Sequence, residues 1–83
     1  MNFKDEVIEL LKNRAHQIFG VDPATLGADT RFDEDLHCKS ADIVRFSAGL
    51  EDEYEVEVPY MALKRCKTFA EVADYMSQIT GIE

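Results

Sequence analysis

The apolar residues of this 83-residue chain recur at intervals of three and four along three separate segments. Those intervals return a side chain to the same face of an α-helix, so each segment is expected to bury one helical face. The faces comprise Phe3, Val7, Leu10, Leu11, Ala15 and Ile18 in the first segment, Ile43, Phe46, Leu50 and Tyr54 in the second, and Phe69, Val72, Ala73, Met76 and Ile79 in the third. The alternating stretch from Glu55 to Val58 is too short for a strand and has no partner, so we predict a connector there. The pattern therefore predicts an all-α fold.

Local signals indicate where the three long helices begin and end. We expect the first helix to run from Phe3 to Phe19, because Gly20 is a typical stop signal. The second helix is expected to begin at Ser40, which is a good N-cap residue. The last helix is expected to begin at the capping-box pattern Thr68-Phe69-Ala70-Glu71 and to end near Gly81.

Two further segments complete the predicted architecture. Pro59 is expected to open a short third helix over Tyr60 to Lys64, because proline is tolerated in a first helical turn. Residues 23–39 form a long polar loop, which Phe32 and Leu36 are expected to anchor.

A chain this short buries one small core, so we predict a single domain over residues 1–83. It is expected to be a small four-helix bundle, with three longer helices, one short third helix and a long loop between the first and second helices. The expected core residues are Phe3, Val7, Leu11, Phe32, Ile43, Phe46, Leu50, Phe69, Val72 and Met76.

The charge balance restricts the partners that the chain can bind. It has 17 acidic and 9 basic residues, for a net charge of −8. Nucleic acids and anionic membranes attract basic proteins, so this balance argues against both and favours a partner with a basic surface. The N-terminus resembles neither a signal peptide nor a transit peptide, and no apolar run approaches the length of a membrane span. We therefore expect a cytoplasmic protein without membrane insertion, and we also expect a monomer.

Potential metal ligands and nucleophiles are few. Asp33, Asp35, His37 and Cys38 lie in one loop, but a calcium-binding loop would need a turn glycine and a closing glutamate that are missing here. A zinc site would need a second pair of ligands, and two cysteines without a CxxC motif favour a reducing compartment. Neighbouring positions in the sequence do not by themselves bring His37 and Cys38 into hydrogen-bonding reach. We predict no metal site and no catalysis, with Cys38 an incidental loop thiol and Cys66 a small buried apolar side chain.

A longer pattern surrounds Ser40. Residues 32–44, FDEDLHCKSADIV, resemble the motif of acyl carrier proteins. In that motif an apolar residue and an acidic-Asp-Leu triplet are followed, after three residues, by the serine that carries 4′-phosphopantetheine. Further stretches resemble the same family in the family's order, namely Phe19-Gly20-Val21 with Leu26, Leu50 to Tyr54, Glu57-Val58-Pro59 and Thr68 to Tyr75. Together they cover nearly the whole chain.

The resemblance implies a carrier that is not an enzyme. It implies that a phosphopantetheinyl transferase attaches 4′-phosphopantetheine from coenzyme A to Ser40, and that the arm then carries acyl groups as thioesters. Such a phosphoprotein would serve fatty-acid biosynthesis or a specialised acyl or polyketide-type pathway of lipid metabolism. Its partners would be acyl-transferring, ligating or synthase enzymes with basic docking patches. The residues expected to dock are Asp35, Lys39, Ala41, Asp42, Val44, Arg45, Glu51, Asp52 and Met61. The resemblance also implies an acyl cleft between the second and third helices, near Phe46, Ala48, Met61 and Leu63.

Several residues depart from the family's usual pattern. His37-Cys38-Lys39 replaces Gly-Ala-Asp before the serine, Ala41 replaces a Leu after it, and Arg45 stands where Glu is common. Further positive charge follows at Lys64, Arg65 and Lys67. Because charge complementarity mainly sets encounter rate and partner choice, these changes indicate a specialised pathway. The alternative hypothesis is a non-carrier acidic helical module that binds a basic protein, in which Ser40 is only a helix N-cap.

Overall fold

Four α-helices make up most of the backbone in the computed structural model, which describes residues 1–82. They are α1 (Phe3–Phe19), α2 (Ser40–Tyr54), α3 (Tyr60–Arg65) and α4 (Phe69–Thr80). A short 3₁₀ turn at Pro23–Thr25, which the sequence pattern does not predict, lies in the first loop. Over residues 1–82 the backbone contains no strand, and its one isolated β-bridge joins Arg31 to Thr68. The prediction of an all-α bundle with a long first loop is confirmed.

Local capping groups fix the ends of α1 and α4 where the sequence predicts them. The Asn2 side chain accepts a hydrogen bond from the Asp5 N–H at 2.9 Å, and Thr68 Oγ1 accepts one from the Glu71 N–H at 3.2 Å. Both helices end at a glycine in the left-handed region, with φ of 73° at Gly20 and 72° at Gly81. These positions favour glycine because a Cβ would be strained there.

The helix α2 begins at Ser40 as predicted, but its N-cap residue differs from the prediction. Lys39, with φ −101° and ψ 174°, is the N-cap residue, and Ser40 is the first helical residue. The cause is Asp42, whose carboxylate reaches back to accept a hydrogen bond from the Lys39 N–H at 2.9 Å. The prediction that Ser40 caps α2 is therefore wrong, and its hydroxyl is available for other contacts. The short helix α3 follows Pro59 as predicted and extends one residue further, to Arg65.

The helices pack around one apolar core, in which α1 contacts α2 and α4 while α3 contacts α2. All the residues expected in the core are buried, and five further ones join them: Ala15, Leu36, Val58, Leu63 and Ala73. Ile79 is 39% exposed, so its predicted place on the buried face of α4 is wrong. At 3.6 residues per turn, the next residue, Thr80, returns closer to the face that Phe69 and Met76 define.

Phe32 anchors the long loop in the centre of the bundle. Its ring lies 5.2 Å from that of Phe46 on α2 and 5.1 Å from that of Phe69 on α4. Backbone hydrogen bonds join the same loop to the start of α4, since the Phe69 N–H donates to Thr30 O at 3.1 Å and the Ala70 N–H donates to Ala28 O at 2.9 Å. The loop is therefore an ordered part of the fold and leads directly to the start of α2.

Candidate functional site

Ser40 is exposed at the first position of α2. Its Oγ accepts a hydrogen bond from the Tyr60 hydroxyl of α3, with 3.1 Å between the two oxygens. Tyr60 was not singled out from the sequence. The local signal for it is its position directly after Pro59, where a short helix begins, but its approach to Ser40 depends on how α3 packs against α2. The site is thus an accessible hydroxyl at the junction of two helices.

Free backbone amides adjoin this hydroxyl. The first N–H groups of any α-helix lack intrahelical acceptors, and those of Ser40 and Ala41 have no protein acceptor among residues 1–82. The N-terminal end of the helix dipole carries partial positive charge at the same place. Negative charge on Ser40 would be stabilised there.

The loop that presents Ser40 is fixed on both sides of its acidic turn. Phe32 and Leu36 are buried, and the Cys38 N–H donates to Phe32 O at 2.9 Å. The Asp35 carboxylate accepts from the Arg31 N–H at 2.8 Å, so this residue shapes the turn as well as facing solvent. His37 has φ of 52°, a left-handed conformation that costs a non-glycine residue free energy. Glycine would adopt this conformation without that cost.

A groove of about 510 Å³ opens beside Ser40, on the side of α3. Its lining includes Phe32 and Ile43, the two thiols and several charged side chains. The residues expected to line an acyl cleft do not line this groove. Phe46 and Leu63 are fully buried in the core, whereas Ala48 and Met61 are exposed. The reason is helical geometry, because residues two apart on a helix point in nearly opposite directions.

Most of the residues expected to dock a partner are at the surface. Ala41, Val44, Arg45 and Asp52 are exposed and share one face of α2, and Met61 on α3 is also exposed. Lys39 and Asp35 are exposed beside the start of α2.

Two of the expected docking residues also have structural contacts. Asp42 accepts a hydrogen bond from Arg45 at 3.0 Å in addition to the one from the Lys39 N–H, and Glu51 accepts one from the Val58 N–H at 2.8 Å. Both side chains are partly buried. Their carboxylates therefore hold the start of α2 and the following connector.

The two cysteines are free and half-buried, and both line the groove. Burial, reinforced by Asp42 and Asp33, raises the pKa of Cys38 from 9.0 to about 12. Burial likewise raises the pKa of Cys66, whose Sγ lies 3.5 Å from Ala62 O. Cys66 packs against the core but is only partly buried, so it is less buried than predicted. Thiols held in the protonated form are poor nucleophiles, so neither side chain is suited to covalent catalysis.

Within residues 1–82, the structure shows no group of three or more His, Cys, Asp or Glu side chains arranged to hold a metal ion. In the same range, every helix is too short or too polar to cross a membrane.

Comparison with known proteins identifies the family of this fold and site. Residues 9–76 match the family described as "Phosphopantetheine attachment site". The chain is 33% identical over 75 residues to an acyl carrier protein of Bdellovibrio bacteriovorus. The aligned residues cover 90% of this chain and 86% of the relative. It is 30% identical over 78 residues to an acyl carrier protein of Lactobacillus acidophilus, covering 94% and 98% of the two chains. An acyl carrier protein of Thermosynechococcus vestitus is 31% identical over 74 residues, covering 89% and 91%.

The chain belongs to the acyl carrier protein family. Members of this family carry acyl groups on 4′-phosphopantetheine, and they interact with phosphopantetheinyl transferases and with the enzymes that load and use the acyl group. They are carriers and do not catalyse the reactions themselves.

Proposed function

We propose that Ser40 is the residue to which 4′-phosphopantetheine is attached, and that the chain shuttles acyl thioesters between enzymes. The observation that carries the proposal is the exposed Ser40 hydroxyl at the start of α2, which is not used to cap the helix. The surroundings fit a phosphodiester, because the amides of Ser40 and Ala41 are free and the positive end of the helix dipole is close. The arm supplies the thiol that forms the thioester.

The protein's own part in the modification is to expose one oxygen. Ser40 Oγ loses its proton and forms a bond to a phosphorus of coenzyme A, and the phosphorus–oxygen bond to the adenosine bisphosphate portion breaks. Within residues 1–82, Ser40 Oγ has no hydrogen bond to a carboxylate or an imidazole that could take its proton, and its partner there is the phenol of Tyr60. We infer that the base belongs to the transferase.

The hypothesis of a non-carrier interaction module in which Ser40 is only an N-cap receives no support from the geometry. Lys39 occupies the N-cap position, and its N–H donates to the Asp42 carboxylate across the first turn. The serine hydroxyl instead faces α3 and solvent.

Intact-mass measurement tests the attachment site. The chain is incubated with coenzyme A and each of several phosphopantetheinyl transferases, and we expect the mass to increase by one phosphopantetheinyl group. Ser40→Ala should show no increase, whereas Ser77→Ala, which removes another helical serine hydroxyl on α4, should be modified like the unchanged protein. Modification of Ser40→Ala, or no modification of the unchanged chain by any transferase, would contradict the proposal.

We further propose that the partners are enzymes of a specialised acyl pathway. The exposed face of α2 carries Arg45 among the apolar and acidic positions Ala41, Val44 and Asp52, and Lys39 precedes it. A basic docking patch that suits a uniformly acidic α2 would meet like charge at Arg45. Since like charges across an interface disfavour a partner, this face selects enzymes with a mixed docking surface.

A further inference from the structure

The contact between Tyr60 and Ser40 places a hydrogen-bond donor at the modification site. The Tyr60 O–H donates to Ser40 Oγ at 3.1 Å, although the two residues belong to different helices. The ammonium of Lys64, one turn further along α3, lies 5.9 Å from the centre of the Tyr60 ring. A phenol and a cation from α3 are thus held close to the serine of α2.

The groove at this point has an excess of positive charge, although the whole chain has a net charge of −8. Its lining includes four basic side chains, Arg31, Lys39, Lys64 and Lys67, and two carboxylates, Asp33 and Glu34. Arg31 is paired with Glu34 at 3.3 Å. In the part of the chain that the structure describes, the three lysines form no ion pair with a carboxylate. Lysines that lack an ion-pair partner and line the same groove as the Ser40 hydroxyl favour the binding of an anion in that groove.

We propose that Tyr60, Lys64 and Lys39 form a cradle for the phosphodiester attached to Ser40. This inference rests on the proposed modification of that serine. In the unmodified protein, the Tyr60 phenol donates to the serine oxygen. After modification that oxygen is part of an ester and accepts poorly, whereas the charged phosphoryl oxygens accept well. Tyr60 then donates to a charged acceptor, which makes a stronger hydrogen bond than a neutral one.

The two lysines add charge from two different segments that line the groove. Lys39 immediately precedes Ser40, and Lys64 is on α3, so together with Tyr60 they tie the modified end of α2 to α3. The consequence is that modification stabilises the α2–α3 contact. The first part of the arm is held against the protein and is not freely exposed to solvent.

Thermal unfolding of the modified and unmodified protein tests the cradle without reference to activity. For each variant, the midpoint temperature Tm of the unmodified form is subtracted from that of the modified form, so that effects on the unmodified fold cancel. Modification is expected to raise Tm by roughly 4 °C or more at low salt. Tyr60→Phe and Lys64→Ala should each lose about half of that rise or more, and the rise should diminish in about 1 M salt because the lysine contribution is screened.

Matched variants separate the cradle from general effects. Tyr75→Phe removes a phenol on α4, and Arg65→Ala removes a cation on α3 that does not line the groove. Both should retain the full rise in Tm. An equal rise in all five proteins, or no rise in the unchanged one, would overturn the cradle while leaving the modification of Ser40 standing. Intact mass is measured first, and a chain that gains no mass would overturn both proposals.

Discussion

Cys38 combines a position two residues before Ser40 with a thiol that resists ionisation. Burial is the main cause of its raised pKa of about 12, and the carboxylates of Asp42 and Asp33 add to it. At neutral pH this thiol therefore does not compete with a thiol carried on the arm, because the thiolate is the reactive form.

Two measurements follow from the raised pKa of Cys38. Alkylation at pH 8 should be at least about tenfold slower than for a thiol of pKa 9.0, because the smaller thiolate fraction outweighs the higher nucleophilicity of that thiolate, and should recover its ordinary rate in denaturant. The free energy of unfolding should be unaffected by this thiol below pH 9 and should fall as the pH rises from 9 towards 12, because the unfolded chain loses the proton first. Cys38→Ala should flatten this decline only in part, since Cys66 and Tyr54 also have raised pKa values. Fast alkylation of Cys38 in the folded protein would contradict its raised pKa.

Single residues also mark the limit of what the sequence predicts. The position of Ser40 in a family-like motif was sufficient to single it out. The Tyr60 contact was not predictable, because it joins residues from α2 and α3 and depends on how those helices pack. The N-cap prediction failed for a local reason, namely that Lys39 is the N-cap residue and its N–H donates to the Asp42 carboxylate, which leaves Ser40 as the first helical residue.

Three of the four α-helices in residues 1–82 end at a residue in the left-handed region, and in one of the three that residue is not glycine. Gly20 and Gly81 end α1 and α4 in the left-handed region, but Glu55 adopts the same region at the end of α2, with φ of 54°. A side chain with a Cβ is disfavoured there by roughly 1–2 kcal/mol. The Glu55 N–H donates to Glu51 O at 2.8 Å, and the left-handed conformation of Glu55 then ends the helix.

Glu55→Gly should therefore stabilise the protein, by about 1 kcal/mol after the greater flexibility of glycine in the unfolded chain is deducted. Glu57→Gly removes the same charge two residues away, outside the helices and without a positive φ, and should leave the stability unchanged or lower it. Urea unfolding midpoints measure both effects. Equal shifts in the two variants would show that loss of negative charge, and not backbone conformation, is responsible.

Elements differ in how far their sequence determines them. The boundaries of α1 and α4 follow from capping residues and glycines within each segment, so the sequence predicts them closely. The short helix α3 follows from Pro59. The path of the long loop, including its 3₁₀ turn, depends on contacts with α4 that are distant in sequence.

At the scale of the whole molecule, the distribution of charge matters more than its total. The net charge of −8 agrees with a basic partner, yet Arg45 interrupts the exposed face of α2 and the groove beside Ser40 is positive.

The modified protein should consequently be a poor substrate for generic fatty-acid synthase enzymes. Turnover equal to that of a housekeeping carrier would contradict the proposed specialised pathway.

Reversal of one charge tests whether the α2 face sets this partner choice. Arg45→Glu should raise kcat/KM with the generic enzymes about tenfold at low salt, chiefly through faster encounter. Arg65→Glu changes the net charge equally but lies on α3 outside the predicted docking residues, and should have little effect. If both variants gain equally, overall charge sets the rate and the α2 face has no special part.

The loop before Ser40 and the first turn of α4 depend on each other. Carbonyls of Thr30 and Ala28 accept from the first amides of α4, and Phe32 fills the space between α2 and α4. Displacement of the loop would expose the Phe32 ring and leave amides of α4 unpaired at the same time, so separating the loop from α4 costs free energy on both counts. Ser40 is therefore held in a fixed position. An enzyme that modifies it must bring its own catalytic groups to that position, because the loop that presents Ser40 is not free to fold around the enzyme's active site.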